Sequence, residues 1–215
     1  MIHFERLFRP SVAAMVSLLC PFALCACRPP APGGAMQYLC GVNASGSNSS
    51  QLGSSIYLLS RLAGMADGSD WLKVTRVDAT CRVVYRYKPV PADIEEFQLD
   101  LVKSCQALAK ETGTHSIAFW TDALSTARNR KPAKILYFTD GFEGGASGAE
   151  IARLVATGRR IAACKNVRGV YLLGVDPSQQ RLWRAVFREM GPRLHLEGPI
   201  TTSTINKVEA AVDEG

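Results

Sequence analysis

Three short apolar runs decide what this chain can fold into: QYLCGV at residues 37–42, KILYFT at 134–139 and VYLLGV at 170–175. Each has the near-continuous apolar character of a strand covered on both faces. Between and after them apolar residues recur at helical spacing. Leu52, Ile56, Leu59 and Leu62/Ala63 form one such series, and Ile94, Phe97, Leu101, Cys105 and Leu108 form another within Ala92–Lys110. Ser147 and Glu150 make a capping-box signature ahead of Ile151, Leu154 and Val155. Ser178–Met190 reads as a helix closed by Gly191, with Leu182, Val186 and Met190 inward and Arg181, Arg184 and Arg188 outward. A short strand at Arg193–Leu196 and a helix around Thr204–Val212 follow. Strands alternating with helices imply right-handed crossovers, hence an α/β domain with a doubly wound, mainly parallel sheet and helices on both faces. Trp71–Val77 and Cys81–Tyr87, joined through Asp78-Ala79-Thr80, are too close for a crossover. They predict one antiparallel edge strand, with Cys81, Val83, Tyr85 and Tyr87 alternating against Arg82, Val84 and Arg86. In such a sheet ligands sit beyond the carboxyl ends of the strands, at the switch point of strand order.

The 215 residues, 47% of them hydrophobic, suffice for a single domain with a sizeable core. Residues 1–27 stand apart from it. Arg6 and Arg9 precede the apolar run Ser11–Cys27, which is short for a spanning helix and interrupted by Pro21, so an export signal fits it. Its end, Leu24-Cys25-Ala26-Cys27, resembles a bacterial lipoprotein signal in which Cys27 is acylated and becomes the new N-terminus. Arg28 at the next position implies no retention at the inner membrane, hence an outer-membrane anchor facing the periplasm. An ordinary signal peptide or an uncleaved anchor is the alternative. Residues 28–36 (RPPAPGGAM) form a Pro/Gly linker, leaving 37–215 as the domain.

Beyond residue 27 there are 23 Lys and Arg against 18 Asp and Glu, a formal charge of +5. That is mild, and no basic tract with interleaved aromatics points to nucleic acid. Arg153, Arg159, Arg160, Lys165 and Arg168 form a basic stretch near a helix C-terminus, where the helix dipole accounts for some of them; a solvated face is the plain reading and an anionic membrane the functional one. Cys40, Cys81, Cys105 and Cys164 are widely spaced, with no Cys-x-x-Cys or Cys/His cluster to suggest zinc. Disulfides and buried free thiols both remain open for them. No glycine-rich phosphate loop follows a strand, and neither His115 nor His195 belongs to a legible triad.

Three segments fall at strand ends or helix starts: Asn43-Ala44-Ser45-Gly46-Ser47 after the first strand, Thr121-Asp122-Ala123-Leu124 opening a short helical stretch, and Thr139-Asp140-Gly141 closing the 134–139 strand. Their order and spacing resemble a von Willebrand factor A (VWA) domain with its metal-ion-dependent adhesion site, over about residues 36–213. The resemblance implies a VWA/Rossmann-like fold and a Mg2+ or Mn2+ site made by Asn43, Ser45, Ser47, Thr121 and Asp140. It also implies a protein partner whose acidic side chain completes the metal shell. The oxygen chemistry suits a hard cation, since Ser45 and Ser47 can turn two hydroxyls toward one point while Gly46 bends the backbone. One departure matters. The family's first Asp is Asn43 here, so Asp140 is the sole carboxylate at the matched positions and the site is degenerate. Asp122 and Glu143 are near enough in sequence to compensate. Each fragment also has a bland reading, as a Ser or Thr helix cap or an Asp-Gly turn.

The reading that follows is an exported, lipid-anchored, VWA-like protein-binding module without catalysis. A metal-free VWA scaffold in an envelope assembly is the alternative, and a metal-assisted hydrolase at the same crevice is a further one.

Overall fold

The sheet contains six strands: β1 (Gln37–Asn43), β2 (Trp71–Val77), β3 (Cys81–Pro89), β4 (Ala133–Phe138), β5 (Val167–Leu173) and β6 (Leu194–Leu196). Their order is β3-β2-β1-β4-β5-β6 in the computed structural model. All neighbours are parallel except β2 and β3, so the antiparallel strand is at the edge as expected. The structure describes residues 35–66, 68–89, 93–106, 116–128, 131–143 and 146–213, which belong to one compact unit, Gly34–Gly215. The signal segment with Cys27, most of the linker, Leu108 and His115 lie outside the described residues. Among the described residues no helix is long and apolar enough to cross a membrane.

Among the described residues six helices cover the sheet: α1 (Ser49–Met65), α2 (Ile94–Gln106), α3 (Ser116–Ala127), α4 (Gly148–Ala162), α5 (Gln180–Val186) and α6 (Thr202–Asp213). Period-two alternation in the strands divides the core. Cys40, Val42, Val74, Leu136 and Leu173 pack with α1, α2 and α6. Leu39, Ile135, Tyr137, Val170 and Leu172 pack with α3, α4 and α5. The aromatic cluster on the second face centres on Trp120, with Phe187, Phe119 and Tyr137 at 4.7, 5.0 and 5.3 Å between ring centroids.

Local sequence signals set several helix ends. Ser147 Oγ accepts the Glu150 N–H while Glu150 accepts the Ser147 N–H at 2.7 Å, the reciprocal cap read from sequence. At the other end of the fold, buried Lys134 donates to the Val212 carbonyl, and Tyr171 Oη donates to that of Ala211 at 3.1 Å. These bonds satisfy carbonyls that the last turn of α6 leaves without intrahelical partners. His195 stacks flat on Tyr171 at 4.4 Å, a packing role. The four described cysteines are free thiols; burial pushes Cys81 and Cys105 up to about 11 and Cys40 further, so they behave as packed apolar groups.

Three expectations need correction. Cys81 and Tyr85 do not share a face: Cys81 packs toward the α3 side, whereas Tyr85 meets Phe97 of α2 at 5.1 Å. A register shift between Val74↔Tyr85 and Thr75↔Val83 inserts a residue and reverses the alternation. The 178–190 helix is shorter than expected, spanning Gln180–Val186, with a 3-10 turn over Arg188–Arg193 after a break at Phe187. Ser178 is instead drawn back to Asp176, and Pro192 has no N–H to continue an α-helical ladder. Thr121 does not open a helix. It lies in the second turn of α3, which begins at Ser116.

Candidate functional site

β1 and β4 are neighbours, but their crossover helices α1 and α4 lie on opposite faces, so a crevice opens beyond their carboxyl ends. Asn43 ends β1 there, and Thr139-Asp140-Gly141 follows β4. Asn43, Ser45, Thr139 and Asp140 are all buried, while Ser47 is exposed at the mouth.

Asn43 organises the group. Its Oδ1 accepts the Ser45 N–H at 2.9 Å, folding the loop into an Asx turn, and its carbonyl accepts from Asn48 Nδ2 at 2.7 Å. Its Nδ2 reaches across to Thr139 Oγ1 at 3.2 Å and Asp140 Oδ1 at 3.3 Å. A carboxylate at position 43 would face Asp140 with like charge, whereas the amide donates to it. Ser45 Oγ and Ser47 Oγ lie 3.1 Å apart.

The Asp140 loop is fixed from several sides. Asp140 Oδ1 also accepts the Phe142 N–H at 3.2 Å, and the Asp140 carbonyl accepts from Asp176 N–H at 2.8 Å. Gly141 has φ +88°, and its carbonyl accepts Trp183 Nε1–H at 3.1 Å. An added Cβ at Gly141 would lie 2.9 Å from Val175 and 3.0 Å from Gln179 and Trp183, so glycine is required by both conformation and space. Asp140 Oδ2 is buried and has no hydrogen-bond partner. A carboxylate oxygen so placed invites a cation.

The donor set meets a simple metric test. Adjacent ligands on an octahedral cation with metal–oxygen bonds near 2.1 Å are about 3 Å apart, and Ser45 and Ser47 present their hydroxyls at 3.1 Å. Asp140 Oδ2 is unpartnered, and Asp140 is the one carboxylate at these positions, a formal charge fewer than in a two-carboxylate site. No group of three or more His, Cys, Asp or Glu side chains suited to a metal occurs among the described residues, so any cation here must rely on hydroxyls.

Thr121 is not brought into this group. It is exposed, and its hydroxyl donates to the Ile117 carbonyl at 2.7 Å. Asp122 is also engaged elsewhere, by Lys73 Nζ at 2.5 Å. The residue that sequence reasoning missed at the start of α3 is Ser116, buried, with its N–H donating to Glu143 Oε2 at 3.2 Å. The spacing of Ile117, Trp120, Ala123, Leu124 and Ala127 carries the signal for this earlier start. Glu143 is thus the second acid near Asp140. Burial pushes its carboxyl up to about 7, only partly opposed by hydrogen bonds from Ser116, and Asp140 and Glu150 add to the rise.

The raised value has a stability consequence. Because the folded-state pKa lies above the ordinary 4.5, folding favours neutral Glu143. Its contribution is complete below about pH 4.5 and is lost as pH rises through about 7, up to about 3 kcal/mol in all. Urea unfolding at pH 5 and pH 8 should show this decline in the wild type. Glu143→Gln, which keeps an acceptor for Ser116, should flatten it; an unchanged slope would show that Glu143 is not the titrating group.

No family model matches the sequence, and no curated protein matches it. Solved structures do. BatB from Bacteroides thetaiotaomicron aligns at TM-score 0.61 and 13% identity, over 84% of this chain and 98% of that one. The vWF domain of the type V pili tip protein Mfa5 from Porphyromonas gingivalis aligns at TM-score 0.57 and 10% identity, covering 85% and 96%. The manganese-loaded TRAP protein of Plasmodium vivax aligns at TM-score 0.61 and 14% identity, covering 83% and 72%. Identities this low speak to architecture alone, and that architecture, a mainly parallel six-stranded sheet with one antiparallel edge and helices on both faces, is the fold of von Willebrand factor A domains.

Proposed function

We propose that this domain is a protein-binding module, without catalysis, whose contact site is the crevice between Asn43 and Asp140. The observation that carries the proposal is the unpartnered, buried Asp140 Oδ2, on a loop that Asn43 joins to the one bearing Ser45 and Ser47, whose hydroxyls lie 3.1 Å apart. In this reading Ser45, Ser47 and Asp140 hold Mg2+ or Mn2+, and Asn43 positions them. Thr121 drops out of the set expected from sequence, since its hydroxyl is committed to its own helix. A dication bound there supplies an electrophilic point for an anionic ligand. With one protein carboxylate against two positive charges the centre keeps net positive charge, which favours an acidic side chain of a partner and makes residence of the cation alone weak. The mesoscale part of the proposal is a lipid at Cys27 that ties the domain to a bacterial envelope membrane, on the outer-membrane side facing the periplasm. The similarity to a pilus-tip protein accords with such an envelope setting, as does the export-type segment at residues 11–27.

The test is calorimetry with Mg2+ and Mn2+ on residues 34–215. Weak saturable binding is expected in the wild type, loss in Asp140→Ala, and at least tenfold tightening in Asn43→Asp, which restores the second carboxylate. If Asn43→Asp bound no better than the wild type, the crevice would not be a cation site. A second reading has its own observation. The Asn43–Asp140 hydrogen bond at 3.3 Å lets the loop close without any ion, as a metal-free scaffold would require. That reading expects partner capture to be indifferent to EDTA and to Asp140→Ala. The hydrolase alternative has no observation in its favour.

A further inference from the structure

Residues 151–196 contain nine Lys and Arg against two acids, Asp176 and Glu189. The fold places most of these cations on one side. Arg153, Arg159 and Arg160 project from α4, and Arg181 and Arg184 from α5, with Arg188 one turn beyond; all six are exposed. Arg153 and Arg160 are two helical turns apart on α4, and Arg181 and Arg184 are i, i+3 on α5, so each pair lies along one helix face, with Arg188 following in the 3-10 turn. The two rows form one surface because the helices nearly touch. A Cβ built on Gly158 would lie 2.2 Å from the Val186 carbonyl oxygen, so only glycine lets α4 and α5 approach this closely. Arg193 is different in kind, donating inward to the Val167 and Ala162 carbonyls.

Among the described residues the single ion pair on this surface is Arg159 with Glu189, at 3.4 Å. The other arginines are not neutralised by neighbours. The opposite face of the sheet has the reverse character: on and just before α2, Asp93, Glu95, Glu96 and Asp100 are exposed with only Lys103 among them. The domain's excess positive charge is therefore concentrated on the α4/α5 side.

We propose that the α4/α5 surface is a docking face for anionic phospholipid headgroups. Exposed arginines spread over two helices, only Arg159 of them ion-paired among the described residues, suit a broad and laterally mobile layer of phosphates. Guanidinium groups match phosphate oxygens with paired hydrogen bonds. The tether supports this occupant. Residues 28–36 span at most about 30 Å, so a chain held in a bilayer through residues 11–27 keeps its domain within reach of the headgroups, whether or not Cys27 is acylated. The crevice at Asp140 plays no part in this contact, so the proposal stands or falls separately from the cation reading.

The experiment uses residues 34–215, which carry both halves of the core and lack the apolar segment that would itself enter a bilayer. Co-sedimentation is measured with vesicles of phosphatidylcholine alone and with 30% phosphatidylglycerol, at low and at physiological salt. Binding to the anionic vesicles only, weakened by salt, is expected. Each neutralised arginine should lower the partition coefficient about fivefold, so Arg153→Gln/Arg184→Gln should lose about 25-fold while Lys103→Gln loses nothing. Circular dichroism melts confirm that these surface variants fold. Equal binding to both vesicle types, or no binding at low salt, overturns the proposal. So does concentration-dependent self-association abolished by the double variant without vesicle binding, which would assign the face to a second copy of the chain.

Discussion

Trp183→Ala is expected to cost about 3–5 kcal/mol. The indole is fully buried, stacks on Phe187 at 6.1 Å between centroids, and lies 5.9 and 6.0 Å from Trp120 and Tyr137. Truncation therefore opens a cavity in the half-core on the α3, α4 and α5 side and exposes three aromatic rings to it. Trp183 also donates to the Gly141 carbonyl, the step that fixes the backbone directly after Asp140. Trp183→Phe separates the two roles. It keeps most of the ring contact and forfeits the hydrogen bond, at about 1–3 kcal/mol for the stranded carbonyl. Urea unfolding followed by circular dichroism measures both. A Phe variant as damaging as the Ala variant would show that the bond to Gly141, more than the packing, holds this region. A Phe variant equal to wild type would show that the loop keeps its shape without it.

The second large effect is expected at Asp78, which is fully buried beside Arg76. Arg76 Nε meets Asp78 Oδ2 at 2.6 Å, while Arg76 Nη1 donates to the Ser104 carbonyl at 3.2 Å and so ties β2 to the end of α2. Asp78 Oδ1 accepts from the Thr80 N–H at 2.7 Å and the Thr80 hydroxyl at 3.0 Å, shaping the β2–β3 turn. Removing the carboxylate leaves a guanidinium out of water with no counter-charge. Asp78→Ala should therefore destabilise by about 3–5 kcal/mol. Replacing both partners, as Arg76→Met with Asp78→Leu, should recover much of that loss, since no charge is then stranded. The same unfolding series tests it: a double variant as unstable as Asp78→Ala would place the effect in the turn and the Ser104 tie instead of the stranded charge.

Much of the architecture was legible along the chain. β2 matches its expected bounds, β1 runs one residue longer than expected, and β4 is displaced by one residue at each end. The Ser147–Glu150 cap needed only residues within one turn of each other. These features are local, since burial on two faces writes an apolar run and a helix cap writes a hydroxyl three residues before an acid. The edge strand was legible as an element but not in its facing, because a bulge is set by pairing with β2 and leaves no mark on the alternation of β3 itself.

The candidate site divides the same way. Sequence alone determined that a hydroxyl-rich loop follows the first strand, that Asn43 stands where a carboxylate is expected, and that Asp140 closes another strand. Tertiary structure alone decided that Asn43 donates to Asp140, that Thr121 turns its hydroxyl back to Ile117, and that Ser116 and Glu143 meet near the crevice. It also decided that the arginine-bearing helices α4 and α5 lie in close contact, through the space left at Gly158. The physical reason is range. Propensity, capping and alternation act over a few residues and are written in the local pattern. Which polar atoms face each other depends on crossovers that bring residues 97 positions apart within hydrogen-bonding distance, and no local pattern encodes that.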